Sequence, residues 1–514
     1  MKKLRAIDQF LSEHFGLLCI LLWLVLLRIP NFFEPYWYGD EAIYLTIGNA
    51  MRHGERLYSE IIDHKTPIIY YLAMVPNQLW FRVLNLSTMA ITTMLFYFFA
   101  QKLFAKRWIV NLVTLIFMVY TTVPWFEGNI PNGELFVMFF VMIGATLLAQ
   151  TEMFQNFLQL KLKSKKHSSQ PLFLLLAGFS FGLAILTKVP AVFDAAAFFS
   201  IGWFAFADNL LDFRRLKQHQ KQLWQSVKQL FFLGVGVLLP IAISIIYFIA
   251  RGSGQAYLDY GLLYNFHYVT TWSLPFQNHL LLLLFSLKGK IAVLGLVIIL
   301  LSFGKKFMLP RTRFLTAWFI LALVASLLSN RPYPHYFLQV LPPLILLVGE
   351  LRDMFKNLLS FVLPVGSFAI FIAVIFLLHV GFYQTGTYYV QFLLMATKRI
   401  STIDYRNSFN SYMADDYAAA KILQTSTDPY TFVWGDNEMV YALSQKIPVG
   451  RFTAAFHIDD FQARPETMIA IAKRQPQFVI VMNNAPTFSE LQTYISLHYH
   501  TTSHFEHFTL WKRN

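Results

Sequence analysis

The chain has 514 residues, of which 56% are hydrophobic and only 14% are charged. A soluble domain carries about 25% charged residues, so this balance, with repeated long apolar runs, excludes an ordinary soluble protein and marks a polytopic membrane protein. The net charge of +14 does not read as nucleic-acid binding, because the basic residues fall in short loops between apolar segments.

The N-terminus, MKKLR, looks like the basic region of a signal peptide, but no small-residue cleavage site follows Leu27. It reads as an uncleaved anchor. Cys19 is the only cysteine, so there is no intramolecular disulfide and no thiolate metal cluster. Spanning segments are expected at about 14–30, 80–103, 108–124, 133–154, 171–187, 190–207, 229–250, 281–303, 314–329, 336–350 and 358–382. Alternate loops are basic: Lys102, Lys106 and Arg107; Lys161, Lys163, Lys165 and Lys166; Arg214, Arg215, Lys217 and Lys221; Lys305, Lys306, Arg311 and Arg313; Arg352 and Lys356. They share a side with Lys2, Lys3 and Arg5, and that side is expected to be cytoplasmic. Eleven spans then leave the C-terminal region outside the cell membrane.

The first external loop, Trp37 to Pro67, holds Asp40, Glu41, Asp63, His64 and Lys65 between apolar segments. Clustered ionisable groups bounded by hydrocarbon point to a reaction or transport site. Within it, Glu41 to His53 reads as an amphipathic interface helix, with Asp40 as N-cap and Gly54 as the C′ residue. Asp40 and Tyr44, four apart, share a face. Ile68 to Leu79 reads as a second interface helix, since Pro76 and Asn77 make it a poor span.

Later external loops add further polar groups. Glu134 opens a span after PWFEGNIPNG, where an acid favours the helix macrodipole. Lys188 is a lone cation before Pro190, either snorkelling or touching a lipid phosphate. Residues 251–280 are rich in Tyr and His and read as an aromatic belt or a carbohydrate-stacking surface. In SNRPYPHYFLQVLPPL, Pro332 and Pro334 keep the backbone extended, so that Arg331, His335 and Tyr336 can line a cavity.

From about residue 384 hydropathy falls. Strands are expected at 431–435 and 477–483, a late strand at 507–512, and helices at 414–423 and 459–473. Alternating strands and helices predict a small α/β domain, with Asp436, Asn437 and Glu438 at the carboxyl end of a strand, where open sheets bind ligands. The expected organisation is therefore a helical membrane domain, 1–383, containing the first loop at 31–79, followed by an extracytoplasmic α/β domain, 384–514.

Taken together, YGDEAIYLTIGNAMRHGERLYSEIIDHKTPIIYYL, NGELFVMFF, GLAILTKVPAVF, PHYFLQVLPPLILL and VWGDNEMVYALSQKIPVGRF resemble, in the same order, segments of the GT-C glycosyltransferases. The resemblance is to the branch of bacterial protein O-mannosyltransferases and the aminoarabinose transferase of lipid A. It implies an inverting transfer of a sugar from a polyprenyl-phosphate-linked donor to a lipid, glycan or protein acceptor on the outer membrane face. It also implies Asp40 as catalytic carboxylate, with Glu41 beside it, and Lys65 as a contact to the donor phosphate. Lys188 and Arg331 are the further phosphate candidates, and Tyr44, Asp63, His64, Glu134, His335 and Tyr336 are substrate-side candidates. His64 stands where the aminoarabinose transferase has an acid, a departure that counts against a metal-ligand role for it, and the need for a divalent ion is left open.

The residue chemistry agrees. An inverting transfer needs a base for the acceptor hydroxyl, and an ionised phosphate leaving group needs cations rather than a general acid. A glycosidase would need an acid–base carboxylate pair. Two rivals remain: a flippase for lipid-linked sugars, which the lack of an internal repeat disfavours, and a non-catalytic glycolipid-binding protein.

Overall fold

The long apolar runs of the sequence fold as helices. The structure, a computed structural model, describes residues 2–159, 170–210, 216–269, 271–351 and 358–514. Lys161, Lys163, Lys165, Lys166, Arg214, Arg215, Arg352 and Lys356 lie outside the described residues. Among the described residues six helices are long and apolar enough to cross a membrane, or seven if a pair bent by 72° counts as one span. The six include Gln78–Leu103, Gln170–Thr187 and Leu359–Leu377. The bent pair is His279–Phe285 and Leu287–Ser302. The remaining expected spans are shorter helices: Arg107–Tyr120, Gly133–Leu148, Pro310–Ser326 and Leu341–Glu350. Proline sets two of these starts, since Pro310 and Pro342 occupy first-turn positions where no intrahelical N–H bond is lost.

The chain forms two compact units. One comprises Met1–Arg28, Asn85–Ser244 and Phe266–Gln384, and the other Ile29–Leu84, Ile245–Asn265 and Thr385–Asn514. The first loop thus clusters with the C-terminal domain, although the sequence assigns it to the helical part.

The larger unit is helical, with a core of packed aromatics. Phe198 contacts Trp318 at 4.8 Å and Phe181 at 4.9 Å between ring centroids. In the smaller unit five strands form a mixed sheet: β1 (Tyr430–Trp434), β2 (Ile447–Pro448), β3 (Phe478–Met482), β4 (Tyr499–His504) and β5 (Phe508–Arg513), in the order β2-β1-β3-β5-β4. β1 is parallel to β2 and β3, and β5 is antiparallel to β3 and β4. Sequence patterning misses β2, which is two residues long, and β4, whose HTTSH run carries no apolar alternation. The single helix expected at 459–473 is two, Ala455–Asp460 and Arg464–Arg474. Between them Gln462 takes φ 53°, a left-handed value that interrupts the helix.

The first-loop helix runs Gly39–Arg52. Its N-cap is Tyr38, without a side-chain cap bond, and Asp40 lies in the first turn, which corrects the expected cap. Gly54 does take a left-handed φ of 99° after the helix. The second interface helix is shorter than expected, Ile68–Leu72, and a turn separates it from Gln78–Leu103. Gly48 lets the two segments meet: a methyl group there would lie 2.2 Å from the Ala73 carbonyl oxygen.

Candidate functional site

In the smaller unit the loop at 57–70 folds back so that Asp63, His64 and Lys65 meet the first turn of the Gly39–Arg52 helix. Lys65 Nζ lies 3.5 Å from Asp40 Oδ1 and 3.2 Å from Asp63 Oδ2. It also stands over the Tyr44 ring, 5.1 Å from its centroid, and Tyr44 donates its hydroxyl to Asp40 Oδ2 at 3.2 Å. The loop is held by its own backbone, because Tyr58 donates to the Lys65 carbonyl at 2.7 Å and the Lys65 N–H to Tyr70 Oη at 3.2 Å.

Asp40, Glu41 and Asp63 have different environments. The Asp63 side chain is wholly buried, whereas that of Asp40 is 28% exposed. Asp63 accepts from the Tyr70 hydroxyl at 2.7 Å and from the His64 N–H at 2.7 Å. Burial alone would raise its carboxyl, but Lys65, His64 and His457 outweigh burial and hold it well below the usual carboxylate range. Glu41 points away from both. Arg82 grips it with Nε and Nη2 at 2.9 and 2.7 Å, and Gln78 donates to it at 3.0 Å. Both of its oxygens are engaged by these buried donors.

His64 Nδ1 lies 2.8 Å, and His457 Nε2 3.3 Å, from Asp63 Oδ1. One ligand atom from each of the three buried residues lies within 4.8 Å of the others. Two imidazoles and a carboxylate are the donor types of a zinc site with room for a further ligand, so this group fits a divalent ion. Burial outweighs Asp63 and lowers the His64 pKa, which favours the neutral imidazole that binds metal.

The carboxyl end of β1 reaches the same place. Gly435 turns the chain with φ 138°, where a methyl group would meet Met482 Cγ at 2.2 Å. Glu438 follows, 4% exposed, and its Oε2 lies 3.7 Å from a methyl position on Gly39. Burial, then the charges of Asp436, Asp40 and Asp63, push the Glu438 carboxyl up to about 8.

The larger unit holds Glu134, Lys188, Arg331, His335 and Tyr336. Lys188, in extended backbone between two helices, is ion-paired with Glu134 and lies 4.3 Å from the Tyr336 ring centroid. His335 is paired with Glu127. Burial would lower the His335 pKa, but Glu127 and Glu134 raise it. Tyr336 and Tyr268 share a hydroxyl hydrogen bond at 3.1 Å. Arg331 stacks on Tyr268 and Trp272, 4.1 and 5.2 Å from the centroids, and donates to Thr271 at 3.1 Å. The Pro334–Val340 turn that carries His335 and Tyr336 is fastened at both ends: Ser326 donates to the Tyr336 carbonyl at 2.6 Å, and Gln339 to the buried Asp194.

Sequence reasoning missed His457, Glu127, Arg82 and Asp194. His457 lies in a short helix with no motif around it. Arg82 and Asp194 were legible as charges inside apolar runs, which is a signal of function or pairing.

Comparison with known proteins adds an independent line. Residues 64–274 match the family model described as dolichyl-phosphate-mannose-protein mannosyltransferase. Among solved structures, the fold matches ArnT from Cupriavidus metallidurans bound to undecaprenyl phosphate, with TM-score 0.53 and 13% identity over 98% of each chain. The apo state of that protein matches with TM-score 0.51 and 12% identity, over 97% of this chain and 98% of that one. The oligosaccharyltransferase AglB from Archaeoglobus fulgidus, in complex with an inhibitory peptide and a dolichol-phosphate, gives TM-score 0.46 at 13% identity, covering 92% of this chain and 70% of that one. A comparison with curated protein sequences gives no match.

Proposed function

We propose that this chain, whose residues 64–274 are of the protein-mannosyltransferase family and whose fold is of the ArnT, GT-C type, is an inverting glycosyltransferase. It takes a sugar from a polyprenyl-phosphate-linked donor and gives it to a hydroxyl of a lipid, glycan or protein acceptor. One observation carries the reading: Asp40 is a partly exposed carboxylate 3.5 Å from Lys65, while the adjacent Glu41 is sequestered by Arg82.

In this reading Asp40 removes the acceptor proton as the acceptor oxygen attacks the anomeric carbon. The bond from that carbon to the phosphate oxygen breaks, and polyprenyl phosphate leaves with the electron pair. Lys65 stabilises the charge gathering on the phosphate. Within the larger unit, Lys188 and Arg331 are proposed phosphate contacts, and Glu134, His335 and Tyr336 proposed substrate contacts; within the smaller unit, Tyr44 lies beside Asp40. Asp63, His64 and His457 would hold a divalent ion, which when bound supplies fixed positive charge to the floor of the site.

The eleven-span topology with a cytoplasmic N-terminus belongs to the same proposal. It places the Asp40 loop and the α/β domain on the outer face. Two experiments test the function. Mass spectrometry of glycolipids and glycoproteins from cells with and without the gene should show one glycoconjugate lost. Purified protein in nanodiscs should transfer sugar from a polyprenyl-phosphate donor, and donor binding with no transfer to any extract acceptor would sink the reading. Reporter fusions near Asn437 should report the outside, and a cytoplasmic signal would overturn the topology.

A further inference from the structure

A buried tie joins two of the polar segments of the larger unit. The Pro334–Val340 turn is a 3-10 helix, in which side chains three apart lie on one side. Tyr336 and Gln339 therefore face the same way. Tyr336 turns its ring to Lys188, whose Nζ lies 4.3 Å from the ring centroid. Gln339 Nε2 donates to the Pro190 carbonyl at 3.2 Å, two residues after Lys188, and also to Asp194 Oδ2. Asp194 lies in the first turn of the Val192–Leu210 helix, and its Oδ1 accepts from Trp318 Nε1 at 2.7 Å. Asp194, Gln339 and Trp318 are 2%, 5% and 0% exposed. One carboxylate thus fastens the turn of His335 and Tyr336 to the segment of Lys188, and both to the Pro310–Ser326 helix that carries Trp318.

We propose that Gln339, held by Asp194, is a positioning residue for Lys188: it sets the spacing between the Lys188 ammonium and the Tyr336 ring, and rests on the reading of Lys188 as a phosphate contact. The Gln339 amide nitrogen has two acceptors, which fixes the end of the amide that faces Pro190. A buried carboxylate is a costly source of stability, since well-packed apolar groups of similar volume commonly serve as well. Directional hydrogen bonds do what apolar packing does not, and fix the register of two loops. Lys188 depends on such a register, because its ammonium is shared between Glu134 and the face of Tyr336. The turn is fixed without Gln339: Ser326 donates to the Tyr336 carbonyl at 2.6 Å, and the Tyr336 and Tyr268 hydroxyls are bonded at 3.1 Å. The backbone bonds of Lys188, to Ala184 and Ala191, lie within its own segment. Cutting the tie therefore frees the Lys188 segment. The ammonium then loses the ring and stays with Glu134, and a phosphate competes for it less well.

The test measures binding of undecaprenyl phosphate to the purified full-length protein in detergent, with melting temperature alongside. It compares the wild type with Gln339→Met, Asp194→Asn, Lys188→Gln and the double variant Gln339→Met/Lys188→Gln. Methionine matches glutamine in length but offers no N–H. Gln339→Met should weaken binding roughly tenfold, the scale of coupling between residues in one network. Asp194→Asn offers one acceptor where Trp318 and Gln339 use two, so it should give a smaller loss of the same sign, and it carries the test if Gln339→Met does not fold. The double variant should bind no more weakly than Lys188→Gln alone, because Gln339 acts through Lys188. A purely structural role would lower the melting temperature and leave the two losses additive. Undiminished binding in a folded Gln339→Met, or additive losses in the double variant, overturns the proposal. If Lys188→Gln weakens binding and Gln339→Met does not, only this inference fails. If Lys188→Gln binds as the wild type does, Lys188 is not a phosphate contact, and the role of Gln339 falls with it.

Discussion

Arg82 holds Glu41 through two guanidinium nitrogens, at 2.9 and 2.7 Å. Both side chains are 1% exposed, and the same guanidinium also donates to the Asn31 carbonyl. Two acids adjacent in sequence therefore have opposite fates. Successive residues of a helix point about 100° apart, so one can face the pocket and the other the interior.

The first prediction follows from that pair. Removing one partner of a buried ion pair leaves an uncompensated charge and costs about 3–5 kcal/mol. Glu41→Ala and Arg82→Ala should each lower thermal stability sharply and reduce expression. Protein that does fold should keep donor binding. A Glu41→Ala protein with wild-type melting behaviour and no transfer would return Glu41 to the chemistry.

Metal content gives the second. Protein purified without chelator should carry a divalent ion at near one per chain, and His457→Ala and Asp63→Asn should lose it, as measured by elemental mass spectrometry. Each removes one of three donors, so affinity should fall by orders of magnitude. Chelation should lower the melting temperature of the wild type and leave that of His457→Ala unchanged. Sub-stoichiometric metal in protein grown with added zinc, manganese or magnesium would reduce the cluster to a buried hydrogen-bonded triad.

These sites were unequally legible in the sequence. Asp40, Tyr44, Asp63, His64 and Lys65 lie within one loop, and a carboxylate cluster between apolar runs marks itself. The helices were legible for the same reason, since apolar length sets span position. His457 was opaque, because it reaches Asp63 by tertiary packing of a domain far along the chain. Glu438 was marked by its place at the carboxyl end of a strand, where open sheets bind ligands. The fate of Glu41 turns on Arg82, whose partner no periodicity names. The helix break at Gln462 and the polar strand β4 were missed because tertiary contacts override local propensity there.

A third prediction concerns pH and the α/β domain. Asp416 is fully buried, and Asn437 donates to its Oδ1 at 2.7 Å. Burial pushes its carboxyl up to about 7, against the bond from Asn437. The folded pKa lies above the unfolded value of about 3.9, so the fold binds this proton more tightly than the unfolded chain. The associated stability is present below about pH 4 and is lost as pH rises through about 7. Asp416→Asn carries no such charge. It should raise the melting temperature relative to wild type at pH 8 and give little difference at pH 4. Equal shifts at both pH values would mean that Asp416 titrates alike in the folded and the unfolded chain.

Asp40 carries the last prediction. It lies in the first turn of its helix and is not the cap. Asp40→Asn therefore forfeits a favourable charge at the helix N-terminus, about 0.3–1 kcal/mol, and the charge pairing with Lys65 at 3.5 Å. The Tyr44 hydroxyl can still donate to the amide oxygen, and Lys65 keeps Asp63 at 3.2 Å. Folding should survive, and donor binding should persist because the phosphate contacts are made by cations. The acceptor hydroxyl, however, loses its proton acceptor, and loss of a general base costs about 10²–10⁴-fold in rate. Turnover should fall by at least that factor with donor affinity within a few-fold of wild type. Asp40→Ala should lose turnover similarly, with a lower melting temperature from the lost contacts to Lys65 and Tyr44. Melting temperature, donor affinity and transfer should be measured on both variants in nanodiscs. If Asp40→Asn transfers at near the wild-type rate, the base lies elsewhere. Asp63, held ionised beside Lys65, is then the next carboxylate of that pocket to examine.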